Sequence, residues 1–441
     1  MRRASLTILL ASCVLTTSAY ATGYGLREFS ARTMGTAYAG AAASGDEAST
    51  IAFNPALLGD VKDWDVSASA TGVLPFSNGV FTARTAAGTP IAGVGNPNNI
   101  VNTALVPAFA LRARVTDQIS LGLSVTSPWG MITDYANNWV GRYYATMSNV
   151  KTYNITPMVA YQPTPELSVG VGVQVQYVKG SLGKAIDFGT IGALYHFPGA
   201  MPGAMDGFAM LKADDWAEGY VVGAQWKPCP DMSLGLSYRS QIDHTLQGNE
   251  VFTLDPYGIG ATLKAMTGAF ADTTASAPFA TPAVATFGTR WQLDDQWTAL
   301  ATVEWTGWSA FKQLLITAGN PVQSPDLSTM NYKDTWFGSL GAEYRPDEQW
   351  TLRLGTGYDE SPTRNQWRTP GIPDSSRIWL SGGVGYRWND HIDVDFGISH
   401  LFASHAAIAL SVADPGNAAR GSLTGSVNMG VTLVGLQLAY H

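Results

Sequence analysis

The sequence predicts an all-β fold, a 14-stranded antiparallel transmembrane β-barrel with an N-terminal plug (hatch) of short helices. Three observations support this prediction. The chain of 441 residues is 46% hydrophobic but only 14% charged, whereas a soluble domain carries about 25% charge. Its mean hydropathy is nevertheless only +0.02, so the apolar residues are diluted among polar ones. Beyond the N-terminus, no run of about 20 apolar residues could form a helical membrane span, which leaves alternating strands.

Residues 1–21 have the pattern of a secretory signal peptide. Arg2 and Arg3 form the charged start, 6–15 the apolar stretch, and 19–21 a small-x-small cleavage site. An alternative is a lipoprotein cleavage box at 10–13, which would leave an unusually short apolar region. Either way the mature chain is exported.

Residues 22–60 lack the alternation of strands and predict the plug. Ser44 and Glu47 have the spacing of a capping box, which predicts a short helix through about Phe53. Pro55 then disfavours helical geometry at the residue before it. Because barrels of 16–18 strands leave an open channel, a 14-stranded barrel should have a lumen that this segment can fill.

Residues 61–441 predict the barrel, because short turns and long loops alternate along them. Six short turns contain Asp or Pro and lie at 116–118, 163–166, 228–231, 294–296, 346–348 and 389–391. Seven longer stretches rich in Gly, Pro, Asn and Ala lie near 77–103, 129–142, 181–213, 249–279, 318–331, 361–375 and 404–422. These connections separate 14 strands, and short turns at one end with long loops at the other are typical of outer-membrane barrels.

Strand periodicity assigns one face to lipid and one to the lumen. Trp350, Leu352, Leu354 and Tyr358 share one face, and Arg353 lies on the other. Trp350 and Tyr358 are separated by about 26 Å along a strand, or about 19 Å of height in a tilted one. Aromatic girdles at the two lipid interfaces need roughly this spacing.

Several motifs, taken together, resemble those of one family. They are 23–30 (GYGLREFS), 35–40 (GTAYAG), Asp46, 54–56 (NPA), 304–309 (EWTGWS), 332–334 (YKD), 358–362 (YDESP) and 371–374 (GIPD). In order and spacing they are similar to the long-chain fatty acid outer-membrane transporters, a family that includes channels for aromatic hydrocarbons. The resemblance covers nearly the whole mature chain and is weakest over 181–280.

The resemblance implies passive transport across the outer membrane of a Gram-negative bacterium. A groove among the outer loops would pass a long-chain fatty acid or another hydrophobic small molecule to an internal pocket. Movement of the hatch and a lateral gap at a kink in the third strand would then release the ligand. The implied partners are this ligand and outer-membrane lipid, the implied state is a monomer, and no cofactor is implied.

The implied kink maps to Pro128, Trp129 and Gly130. The residues themselves agree, because Pro128 lacks a donor for the strand ladder and Gly130 has no side chain. The alternative is that Pro128 simply ends a strand before an outer loop.

The resemblance also suggests ligand-binding residues. Lys333 matches a position associated with the ligand head group, and its alternative is a lumen lysine paired with Glu343 or Glu304. Lys184 is a second candidate cation, and Tyr24 matches an aromatic hatch residue of the pocket.

The hatch residues suggested in the same way are Asp46, Asn54, Pro55 and Ala56, and the capping-box pattern adds Glu47. For Asn54, Pro55 and Ala56 the alternative is a purely structural role, in which they end the preceding helix.

Other functions find little support in the sequence. None of the 6 histidines has metal-ligand spacing, no G-x-S-x-G elbow is present, and a net charge of −8 disfavours nucleic acid. We therefore expect no enzyme, no catalytic residue and no metal. The alternatives within the barrel class are a polar-solute porin and a surface adhesin or receptor. The physiological ligand stays open, because loops 181–213 and 249–279 match the family least.

Overall fold

Residues 23–441 are described by a computed structural model, and the predicted signal peptide lies outside them. Their strands join into one antiparallel sheet that closes on itself, because the first strand pairs with the last, as at Val73 and Leu433. The result is a closed 14-stranded barrel, as predicted. No helix within residues 23–441 is long and apolar enough to cross a membrane.

Eight strands are continuous. They are β1 (Trp64–Arg84), β2 (Ala104–Arg114), β4 (Met147–Thr164), β5 (Leu167–Asp187), β6 (Asp206–Cys229), β11 (Trp350–Asp359), β12 (Arg377–Asn389) and β14 (Ser422–Tyr440). Six strands are interrupted once. They are β3 (Ile119–Thr126, Gly130–Asp134), β7 (Met232–Arg239, Ile242–Thr253), β8 (Thr273–Thr281, Val284–Gln292), β9 (Trp297–Thr306, Gln313–Ala318), β10 (Asp326–Thr329, Thr335–Tyr344) and β13 (Ile392–Ala403, Ala406–Leu410).

The six short turns lie where the sequence predicts them, but most of the outer loops are shorter than predicted. β5 continues to Asp187 and β6 begins at Asp206, so both strands enter the predicted loop 181–213. These two residues still pair with each other across the ladder. The prediction failed because polar and Gly-rich composition weakens a strand without preventing continued backbone hydrogen bonding with its neighbour.

The lipid-facing surface shows the predicted alternation. Leu354 and Tyr358 are 64% and 54% exposed, whereas Arg353, the residue before Leu354, is 5% exposed. Aromatic pairs lie at the short-turn end of the wall, with ring centroids 4.6 Å apart for Trp350 and Tyr386. This arrangement corresponds to the aromatic girdle expected at a membrane interface.

The outer loops carry short helices. α2 (Phe188–Leu194) and α3 (Ile259–Thr267) pack against each other above the barrel. A single 3₁₀ turn occurs in the last outer loop at Pro415–Asn417, and another, Trp308–Ala310, lies in the interruption of β9.

The segment 23–60, called the plug from here on, fills the lumen. It contains α1 (Ala31–Met34) and two 3₁₀ helices, Ala48–Ala52 and Pro55–Asp60. These helices contact strands on opposite sides of the wall, and most of their side chains are buried. The plug therefore occupies space that an aqueous channel would need.

The predicted capping box was wrong. The 3₁₀ helix begins only at Ala48, and Glu47 precedes it without a side-chain capping bond. The Glu47 carboxylate instead accepts hydrogen bonds from Ser49 Oγ (2.5 Å) and from Gln437 Nε2 of the barrel wall (2.6 Å). Tertiary contacts with the wall therefore replaced the local capping interaction.

Candidate functional site

An apolar cavity of about 110 Å³ lies in the outer half of the lumen and is called the upper pocket. Its walls are large apolar side chains from the strands and from the plug. Examples are Met131, Leu182, Leu211, Leu246 and Phe279. Concave, mostly apolar cavities with a few polar groups are the usual form of small-molecule sites.

Four charged residues form the polar end of the upper pocket: Lys184, Glu250, Asp326 and Arg420. Asp326 bridges the two cations, at 2.5 Å from its Oδ2 to Lys184 Nζ and through its Oδ1 to the Arg420 guanidinium. The same four residues also line a larger cavity of about 470 Å³ between the outer loops, called the outer cavity. They therefore form the boundary between the two spaces.

Tyr24 forms the floor of the upper pocket within an aromatic cluster. Its ring centroid lies 4.7 Å from that of Trp308 and 5.9 Å from that of Trp129, both edge-to-face. Its hydroxyl donates a hydrogen bond to the carbonyl of Ala280 on β8 (2.7 Å). Edge-to-face packing is the favourable geometry for aromatic pairs, so this floor is well ordered.

A second cavity of about 60 Å³, called the lower cavity, lies between the plug and the wall. Trp129 and Trp308 line it and also pack against Tyr24, so the aromatic cluster separates it from the upper pocket. Arg27, Arg239 and Glu304 are its charged lining residues.

The interruption of β3 borders the lower cavity. Residues 127–129 leave the ladder between Thr126 and Gly130. The plug pairs with them instead, because Gly130 N donates to the Tyr24 carbonyl (2.7 Å) and Leu26 N donates to the Pro128 carbonyl (2.8 Å). The N-terminal end of the plug therefore covers the break in the wall.

The ligand-binding residues suggested by the sequence lie in two places. Tyr24 and Lys184 both line the upper pocket. Lys333 lines neither the upper pocket nor the lower cavity, and its Nζ pairs with the carboxylate of Glu360. The alternative for Lys333 was an ion pair with Glu343 or Glu304. Among the described residues its partner is Glu360 instead.

The suggested hatch residues anchor the plug. Asn54 Nδ2 donates to the carbonyls of Ala42 (2.8 Å) and Ala224 (3.1 Å), while its Oδ1 accepts from Ala56 N at the turn that Pro55 begins.

The carboxylate Oδ2 of Asp46 lies 3.0 Å from Nη2 of Arg32 in the plug and 3.8 Å from Nε of Arg290 in the wall. Burial by itself would raise the pKa of Asp46, but Arg290 and Arg32 hold it well below its usual range. The carboxylate is therefore ionised and joins the plug to the wall.

Several residues of this site were missed in the sequence. Arg27 of the plug pairs with Glu304 (2.6 Å) and Asp359 (3.1 Å) of the wall, and all three lie in motifs that carry the resemblance. No sequence motif identified Asp326 or Arg239, because the residues that they contact are distant in sequence. Among residues 23–441, no group of His, Cys, Asp and Glu could hold a metal ion.

The family described as outer membrane protein transport protein (OMPP1/FadL/TodX) matches residues 12–441 of this chain. The chain belongs to this family. It is therefore a FadL/TodX-type transport protein of the Gram-negative outer membrane and not an enzyme, since the members are transport channels.

Individual relatives have similar lengths. The long-chain fatty acid transport protein of Escherichia coli O6:H1 is 27% identical over 422 residues, which cover 89% of this chain and 90% of the relative. A FadL homologue of Pseudomonas aeruginosa has a TM-score of 0.86 at 24% identity, over 95% of this chain and 99% of the other. The toluene transporter TbuX of Ralstonia pickettii has a TM-score of 0.66 at 19% identity, over 95% and 99% of the two chains. These two structures support the fold.

Proposed function

We propose that this FadL/TodX-type protein takes up long-chain fatty acids or other hydrophobic compounds across the outer membrane by diffusion. The observation that carries the proposal is the upper pocket, an apolar cavity closed below by the plug and bordered above by charged residues. Each methylene group that a ligand buries there contributes about 0.8 kcal/mol. Two of the similar proteins are named as a fatty acid transporter and a toluene transporter, and these names point to the same ligand chemistry.

The proposed route begins in the outer cavity and continues into the upper pocket. Movement of the plug at Tyr24 opens the aromatic floor, and the ligand then leaves sideways into membrane lipid at Pro128, Trp129 and Gly130. Two features support this route: the plug covers the break in β3, and hydrogen bonds and aromatic contacts join it to the residues of the break. We propose that the protein works as a monomer, and that residues 1–21 direct its export.

A polar-solute porin fits less well. Such a channel needs a water-filled lumen, whereas the plug residues are buried against the wall. The charged residues of the lumen are largely used in pairs that fasten the plug, such as Arg27 with Glu304.

Filling the upper pocket tests the proposal. Ala277 lines the pocket and is almost fully buried, so Ala277→Phe should occupy ligand space and reduce uptake of oleate or toluene several-fold. Val222→Phe is the matched control, because Val222 is 39% exposed on the outer face of the wall. Heat-dependent migration on gels shows whether each barrel has folded. Unchanged uptake by a folded Ala277→Phe variant would contradict a role of this pocket.

A further inference from the structure

We infer that Arg239 is a binding site for the anionic head group of a carboxylate ligand, in the lower cavity. The inference rests on the proposed function and adds a second site on the route, below the aromatic floor. The ligand class is an amphiphile with one carboxylate and an apolar chain.

Arg239 forms no ion pair with the described residues, although Glu304 lines the same cavity. Its guanidinium donates one hydrogen bond within residues 23–441, from Nη2 to the carbonyl of Ala52 (2.8 Å). None of the ion pairs found within 4.0 Å in this part of the chain includes it. An arginine has five N–H donors, and a partly buried cation without a partner is unfavourable. Arg239 can therefore accept an anion without first breaking an ion pair.

The other cations beside these two cavities already have carboxylate partners. In the upper pocket, Asp326 pairs with both Lys184 and Arg420. The lining of the upper pocket thus holds as many acidic as basic side chains. In the lower cavity, Arg27 pairs with Asp359 as well as with Glu304, and Arg239 is the lining cation outside these ion pairs. A carboxylate is favoured in the lower cavity.

The lower cavity has the size and surroundings of a head-group site. Since about 10–15 Å³ of such space holds one water, its volume of about 60 Å³ has room for a carboxylate and a few methylene groups. The ring centroid of Phe29 lies 5.8 Å from the guanidinium carbon of Arg239. Phe53 and Val284 add apolar surface to the cavity. Pro128 and Trp129 line the same cavity, so a head group held by Arg239 lies beside the break in β3.

The competing explanation is structural: Arg239 only ties the plug to the wall through the Ala52 carbonyl. Arg239→Gln removes the charge but keeps a donor for this carbonyl, and Arg239→Lys keeps the charge. Uptake of radiolabelled oleate and toluene is measured in cells that produce each variant. We expect Arg239→Gln to reduce oleate uptake about tenfold and toluene uptake less than twofold, with oleate uptake largely restored in Arg239→Lys. The matched control is Arg387→Gln, whose side chain is 60% exposed near the short-turn end of β12.

The outcomes separate the two proposals. Equal losses for both compounds, or no loss for either, would overturn the role of Arg239 while the proposed function stands. A wild-type protein that takes up neither compound would contradict the proposed function itself, and one that takes up toluene alone would overturn the carboxylate site. If Arg239→Gln does not fold, crystals of the wild-type protein with 2-bromopalmitate decide. A bromine peak beside Arg239 supports the site, and a peak confined to the upper pocket contradicts it.

Discussion

Charged residues in the lumen lie mostly in pairs, and the two lysines chosen from the sequence illustrate this. Lys184 pairs with Asp326, and Lys333 pairs with Glu360. A ligand carboxylate would compete with an existing carboxylate partner at either lysine. Which of them contacts a ligand is therefore an energetic question that residue type alone does not answer.

Lys333 was selected by resemblance, and its role stays a prediction that substitution can test. If Lys333 binds the head group, Lys333→Ala should weaken oleate binding about tenfold, as expected for loss of one charged hydrogen bond of about 1.5 kcal/mol. Binding of an uncharged hydrocarbon should change little. Competition binding to the purified protein measures both, with Lys264→Ala in α3 as the control. Equal losses for the two ligands would exclude a carboxylate-binding role.

Glu28 of the plug should make seating of the plug depend on pH. Burial raises its pKa from the ordinary value of 4.5 to about 7. Its Oε2 accepts a hydrogen bond from Arg27 N (2.9 Å), and its Oε1 has no partner within residues 23–441. Because the seated plug holds this proton more tightly than an opened one, stability should fall as pH rises from about 4.5 to about 7 and level off above that.

Glu28→Gln should remove this pH dependence, since the amide stays neutral. Hydrogen exchange of residues 23–60, corrected for the intrinsic rate, measures the free energy of plug opening between pH 5 and pH 8. The variant should match the wild-type protein at pH 5 and exceed it at pH 8. Parallel curves for the two proteins would show that Glu28 is not the responsible group.

At the level of elements, glycines of the wall allow the plug to approach it closely. A Cβ at Gly235 would overlap the carbonyl oxygen of Ala42 in the plug, whereas a Cβ at Gly338 would meet nothing within 4 Å. Gly235→Ala should therefore destabilise the seated plug by about 1–3 kcal/mol, and Gly338→Ala should not. Hydrogen exchange of residues 23–60 reports both effects. Identical exchange in the two variants would mean that the plug does not depend on this contact.

The sequence predicted those elements whose cause is local. Six turns were found because Asp and Pro favour tight turns. The break in β3 was expected from the resemblance, and the missing donor of Pro128 agrees with it but would also fit the end of a strand. The capping box of Ser44 and Glu47 failed because Glu47 bonds to Gln437 of β14. The same limit applies to the site, where Lys184 and Asp326 lie 142 positions apart. Contacts of this kind depend on closure of the barrel.

For the whole molecule, the fold joins an apolar route to a plugged lumen. Apolar side chains face lipid and line the upper pocket, while the ion pairs of Arg27 and Asp46 hold the plug. Hydrophobic molecules can therefore dissolve in the pocket, while the buried plug occupies the lumen that a water-filled channel would need. Selectivity for hydrophobic compounds follows from the plug as much as from the pocket.

The most direct test compares uptake of oleate and of a disaccharide by cells that produce either the wild-type protein or a variant without residues 22–56. The wild-type protein should increase oleate uptake above that of cells with an empty vector and leave disaccharide uptake unchanged. The variant should admit the disaccharide, because its 14-stranded barrel has lost the plug. Disaccharide uptake through the wild-type protein, or identical behaviour of the two proteins, would contradict a plugged channel for hydrophobic compounds.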